Sequence, residues 1–184
     1  MSLVLIPVVV GINYIGKLFA QTLKLPLWLD SIGTILAAFL NGPIVGAIAG
    51  LINNLIYGLT VDTMSFVYAI TSVAIGLVSG VVGINYIGRG VLPMLGIGLL
   101  VGIAAALVST PLNVIFWGGQ TGNVWGDALF AALRKGGFPL WGASFLDEFV
   151  VDIPDKVATV IVAWLIFKGL PKRLTRLFRR GASA

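Results

Sequence analysis

Leu92–Trp117 reads LPMLGIGLLVGIAAALVSTPLNVIFW, a run without one charged side chain. About 20 predominantly apolar residues are enough to carry a helix across a bilayer core, so this stretch predicts a transmembrane helix. The rest of the chain has the same character. Of its 184 residues 58% are hydrophobic and 10% charged, with a mean hydropathy of +1.04; soluble domains are about 25% charged. Six spans use about 120 residues, which leaves no room for a soluble catalytic domain or a nucleotide-binding domain. The expected fold is all-α: an integral membrane bundle of six transmembrane helices forming one domain over residues 1–171, followed by a basic tail, 172–184.

Apolar runs bounded by Pro, Gly and polar residues place the six helices at about Leu3–Leu23, Trp28–Leu40, Ile44–Tyr57, Ser65–Ile87, Leu92–Trp117 and Phe149–Leu170. The first run is long for a cleaved signal core and lacks a basic start, so it reads as a retained span. The segment Gly118–Glu148 carries Trp125, Phe130, Phe138 and Trp141 and is expected to be structured at the membrane surface.

Cysteine and histidine are absent, which excludes disulfides, thiolate nucleophiles and the commonest metal ligands. The formal charge is +5, but Lys172, Arg173, Arg176, Arg179 and Arg180 supply five of the twelve basic residues, directly after an apolar run. That placement marks a cytoplasmic anchor near anionic lipid, and nucleic acid is not an expected partner. With six spans both termini are then cytoplasmic in a multi-pass cell-membrane protein. Lys24, Arg134 and Lys135 fall outside, and Arg89 with the tail inside.

This topology gathers the polar residues at one end. Lys17, Asp30, Asn53, Asn54, Tyr57, Tyr68, Asn113, Trp117, Asp152, Asp155 and Lys156 all fall in outer halves, and Gln120 in the loop beyond. Polar groups in hydrocarbon normally face a bundle interior or a wet cavity. The expectation is an outward pocket in which Trp28, Tyr57, Tyr68 and Trp117 cover a ring or bulky ligand. Asn53, Asn54, Asn113, Gln120, Asp30, Asp152, Asp155 and Lys156 would supply hydrogen bonds and charge. Each residue also has a structural reading: Asp152 with Lys156 as an i,i+4 pair, Asp30 as a helix cap, the asparagines as interhelical bonds.

Three stripes of small residues, Gly42/Gly46/Gly50, Ser72/Gly76/Gly80 and Gly98/Gly102/Ala106, read first as close helix packing and second as a docking surface. Val-Val-Gly-Ile-Asn-Tyr-Ile-Gly occurs at Val9–Gly16 and again at Val81–Gly88, which we read as a coincidence or a local duplication without architectural meaning rather than as two inverted halves. No catalytic constellation or phosphate loop is present, and Asp147–Glu148 reads as an exposed helix start. An enzyme is not expected, nor is a cofactor or a bound metal.

The stretches Leu25–Thr34, Asn41–Ala47, Asn53–Gly58, Gly118–Gly122, Asp152–Lys156 and Leu170–Leu174 resemble the S components of energy-coupling factor (ECF) transporters. The resemblance covers most of the chain. It implies a membrane subunit that captures a vitamin or related micronutrient outside and topples in the bilayer to deliver it. Its implied partners are a transmembrane T component and two cytosolic ATPases, which hydrolyse the ATP. The family often docks through small residues four apart in the inner part of helix one. Here that part, Leu3–Gly11, is bulky and ends in Gly11, and the clearest small pair is Gly16 and Ala20 further out. The alternatives left open are a sensor input module and a small pore-forming or structural membrane protein. The carboxylates favour a ligand with donors or positive charge, and the sequence alone leaves its identity open.

Overall fold

A computed structural model describes residues 2–180; the side chains of residues 2, 3, 176, 177, 179 and 180 lie outside the description, as do residues 1 and 181–184. Part of the basic tail therefore falls outside it. The described chain is all-α, with eight helices: α1 (Ser2–Thr22), α2 (Ile32–Asn41), α3 (Pro43–Thr60), α4 (Ala69–Gly83), α5 (Val91–Trp117), α6 (Val124–Lys135), α7 (Leu140–Gly169) and α8 (Lys172–Arg180). A short 3-10 turn, Thr63–Phe66, leads into α4.

Three helices are long and apolar enough to cross a membrane: α1 from Val4 onward, α3 and α5. They suggest a multi-pass membrane protein. The other helices of the expected six do not combine that length and apolarity. α2 has 10 residues and α4 has 15, about 15 and 22 Å of helix, well short of a 30 Å hydrocarbon core. α7 has 30 residues but carries Asp147, Glu148, Asp152, Asp155, Lys156 and Lys168.

α2 starts four residues later than its apolarity predicts. Leu29 takes a left-handed backbone, φ 52°, which no helix continues. Asp30 does not cap α2; Ser31 holds the cap position without a side-chain bond. The capping comes from α1, where Asn13 Oδ1 accepts from the Gly33 N–H at 2.6 Å and the Thr34 N–H at 3.3 Å, and Nδ2 donates to Thr34 Oγ1 at 2.8 Å. Asn13 is fully buried. Asn13→Leu is expected to leave those donors unpaired and cost about 1–3 kcal/mol, read as a lower midpoint in thermal denaturation of the purified protein in detergent.

α7 starts at Leu140 rather than Phe149. Gly137, at φ 83°, ends the turn after α6, and Pro139 at the N-cap directs the chain into helix at once. Asp147 and Glu148 therefore lie inside a helix and are buried, not at an exposed helix start. The segment Gly118–Glu148 contains α6, whose N-cap Asn123 accepts from the Trp125 N–H.

The small-residue stripes pack within the chain. A Cβ on Gly76 would lie 2.4 Å from the Gly46 carbonyl carbon, and one on Gly50 2.7 Å from the Ser72 carbonyl oxygen, so α3 and α4 meet backbone to backbone. Gly98 and Gly102 let α7 approach α5 at Val157 and Ile153. Val9, Ile35, Leu36, Phe39, Leu40, Ile75, Met94, Ile97, Val101, Val160 and Trp164 form one continuous apolar core. The repeated octapeptide has two different settings. Its first copy is helical with Asn13 buried, and its second leaves α4 at Gly83 with Asn85 exposed.

Candidate functional site

One cavity opens at the end of the bundle where α1 and α5 finish and α4 and the first half of α7 lie. About 670 Å³ of empty space lies within it, open solvent at the mouth included. Lys17 and Gln21 enter from α1, and Trp28 and Asp30 from the α1–α2 loop. Asp62, Met64 and Tyr68 come from the α3–α4 connection, and Thr71, Ser72 and Ile75 from α4. Ser109 of α5, Thr121 and Gly122 of the next loop, and Glu148, Asp152 and Lys156 of α7 complete the wall.

Lys156 organises one side. Its Nζ lies 2.5 Å from Asp155 Oδ2, 3.5 Å from Asp30 Oδ1 and 3.8 Å from Asp152 Oδ1. All but Asp30 are nearly or fully buried. Removing three carboxylates and an ammonium from water is costly, and their mutual attraction offsets it only while they stay together. In the loop, burial alone would raise the Asp30 carboxyl, but the Lys156 and Lys17 ammonium groups hold it below its ordinary value.

Asp155 faces the loop rather than the cavity. Its Oδ1 accepts the backbone N–H of Trp28 at 3.0 Å and of Leu29 at 2.8 Å. A left-handed leucine costs about 1–2 kcal/mol, and these charge-assisted bonds offset it. The loop is thereby fixed with Trp28 and Asp30 on the cavity wall.

On the opposite wall Tyr68 O–H donates to Asn113 Oδ1, and Asn113 Nδ2 donates to Glu148 Oε1 at 2.6 Å. This chain ties the α4 entry to α5 and α7. Thr71 and Ser109 hydroxyls bond across α4 and α5 at 3.1 Å. Lys17 donates to Ser65 Oγ at 2.8 Å and lies 4.3 Å from the Tyr57 ring centre, a cation–π distance. Met64 and Gly122 lie side by side on the wall, Met64 Cε 3.9 Å from where a Gly122 Cβ would stand. Behind the loop that bears Gly122, Asp127 Oδ1 accepts the Thr121 and Gly122 N–H groups at 2.8 and 3.3 Å.

Of the residues expected to touch ligand, Trp28, Asp30, Tyr68, Asp152 and Lys156 stand on the cavity wall. Tyr57, Asn113 and Asp155 stand one layer behind and hold wall residues, Tyr57 by donating to Gln21 Oε1 at 2.6 Å. Asn54 bonds Ser72 Oγ at 2.5 Å and the Gly50 carbonyl at 3.1 Å, tying α3 to α4. Asn53 is fully buried away from the wall; Trp117 is half-buried and Gln120 exposed, and neither lines the cavity. Gln21, Asp62, Met64, Thr71, Ile75 and Ser109 are wall residues that the sequence did not single out, and Glu148, expected at an exposed helix start, is one as well. Only the lone hydroxyls Thr71 and Ser109, set in apolar helices, carried a local signal. Among the suggested docking residues, Ala20 is buried, a Cβ on Gly16 would meet the Leu29 carbonyl at 2.3 Å, and Gly11 has open space beside it.

Family models, curated proteins and solved structures contain no match to this chain.

Proposed function

We propose that this chain is the substrate-binding membrane subunit of an energy-coupling factor transporter, and that its cavity captures a vitamin-like micronutrient outside the cell. The observation that carries this reading is a cavity of mixed aromatic and ionic lining at one end of a bundle with one continuous apolar core. Buried charge in such a body is costly and is a mark of function. From Glu148 to the end of α7 is about 30 Å of helix, and the basic α8 follows. Cavity and basic helix thus belong to opposite ends, as an outward site and a cytoplasmic anchor require.

The reading supplies no chemistry of its own: ligand enters, is enclosed, and is released inward when partner ATPases drive the subunit. The core of Phe39, Leu40, Met94, Ile97 and Trp164 packs beyond the cavity, which favours a carrier over a pore. Affinity purification of the tagged chain from its own membranes, in mild detergent, tests the assignment. A transmembrane coupling subunit and two ATPases are expected to co-elute in fixed ratio. Elution without any ATPase, together with ion conductance of the isolated chain in bilayers, would contradict it.

A further inference from the structure

The charge on the cavity wall limits what the site can hold, if the cavity is the ligand site as proposed above. Four carboxyls face it, Asp30, Asp62, Glu148 and Asp152, against the two ammonium groups Lys17 and Lys156. Both ammonium groups are already engaged. Lys156 is shared by Asp155, Asp30 and Asp152, and Lys17 is held by Ser65 Oγ and the Tyr57 ring. Lys156 has no charge left over for an anionic ligand, and the Lys17 charge is set against the Asp30 and Asp62 carboxyls.

The carboxyls are not equally satisfied. Asp155, off the wall, receives two backbone N–H groups and the ammonium at 2.5 Å. Asp152 is 3% exposed, lines the cavity and is reached by Lys156 only at 3.8 Å, beyond hydrogen-bond length. Glu148 stands one turn before it and repels it, and has the neutral Asn113 amide as its donor. Two adjacent buried carboxyls without a dedicated cation are costly when both are charged, and either a proton shared between them or a positive charge from outside relieves that cost. The aromatic faces nearby, Trp28 and Tyr68, also favour a cation, through their ring quadrupoles.

We propose that the cavity selects a ring-sized molecule carrying one positive charge, with its cationic end at Glu148 and Asp152 and its ring beside Trp28 and Tyr68. The hydroxyls of Thr71, Ser109 and Thr121 serve its neutral polar groups.

Three probes of one shape and different charge test this by calorimetry on the full chain in detergent: 1-methylnicotinamide (cation), nicotinamide (neutral) and nicotinate (anion). The cation is expected to bind at least about tenfold more tightly than the neutral probe, and the anion not at all. Glu148→Gln keeps an acceptor for Asn113, and Asp152→Asn keeps shape; each is expected to remove most of the cation's advantage. Equal or better binding of nicotinamide or nicotinate, or a preference unchanged in both variants, would overturn the charge assignment while leaving the cavity a ligand site. Failure of all three to bind at about 10 mM, where even weak ligands register, would overturn it as well. Whether the cavity holds any small molecule is judged separately, by what the purified protein retains.

Discussion

Lys156→Met is expected to destabilise the protein by about 3–5 kcal/mol, the usual cost of breaking a buried ionic group by removing one partner. The methionine fills similar space, so the loss is electrostatic. Asp155, Asp30 and Asp152 would face one another without the ammonium that now lies 2.5, 3.5 and 3.8 Å away. The damage would spread to the α1–α2 loop, because the Asp155 carboxylate that holds the Trp28 and Leu29 amides would lose its counter-charge. Thermal denaturation in detergent, followed by tryptophan fluorescence, reads the loss. Adding Asp152→Asn to Lys156→Met is expected to recover part of it, since one uncompensated carboxylate is then gone. Lys24→Met, at an exposed lysine, serves as the control and should change stability by less than about 0.5 kcal/mol. A Lys156→Met protein as stable as that control would show that the cluster is not held by its charge.

The second large effect is expected at Gly33, where even alanine does not fit. Its Cβ would lie 1.9 Å from the Val9 carbonyl oxygen and 2.9 Å from the Val9 Cα. These are backbone atoms of α1, so the only relief is to move two helices apart. The same movement would draw Asn13 away from the Gly33 and Thr34 amides and open the start of α2. Gly33→Ala is therefore expected to cost about 3 kcal/mol, the upper part of the overpacking range, or to prevent a stable fold altogether. Gly88, with open space around it, provides the comparison: Gly88→Ala should lie within about 0.5 kcal/mol of the parent. Matching midpoints for the two alanine variants would contradict the close α1–α2 crossing.

The membrane character of this chain is legible from Leu92–Trp117 alone, because a helix of that length without one charge has no polar face to turn toward water. The small-residue stripes are legible too. A residue without side-chain bulk every fourth position forms a helical face, and Gly46, Gly50, Gly76 and Gly98 occupy such faces against neighbouring helices. The ends of helices are harder to read where distant residues decide them. Trp28-Leu29-Asp30 is apolar enough to be helical, yet Asp155, far away in the chain, holds Trp28 and Leu29 in a loop. The start of α7 is hidden because Asp147, Glu148, Asp152 and Asp155 look like acids at a helix entry, where the dipole favours them. They are instead buried inside α7, with Asp152 and Asp155 beside Lys156.

The site is legible as a tendency, polar groups at one end, and less so residue by residue. Trp28, Tyr68 and Asp152 reach the wall, whereas Asn113 and Tyr57 act through the residues they hold. A face on a helix can be derived from periodicity, but whether a side chain meets the cavity or the layer behind it depends on helix rotation and crossing, which the sequence does not display. Met64 reaches the wall from the short turn before α4 and carries no local pattern.

Mass spectrometry of the small molecule retained by the purified full chain tests the central claim most directly. One compound in near-stoichiometric amount is expected to be released when the parent protein is denatured, and to be depleted from an equally stable Asp152→Asn variant. Parent protein that releases no compound, or the same amount from both forms, would contradict a ligand-capturing cavity between α1, α4, α5 and α7.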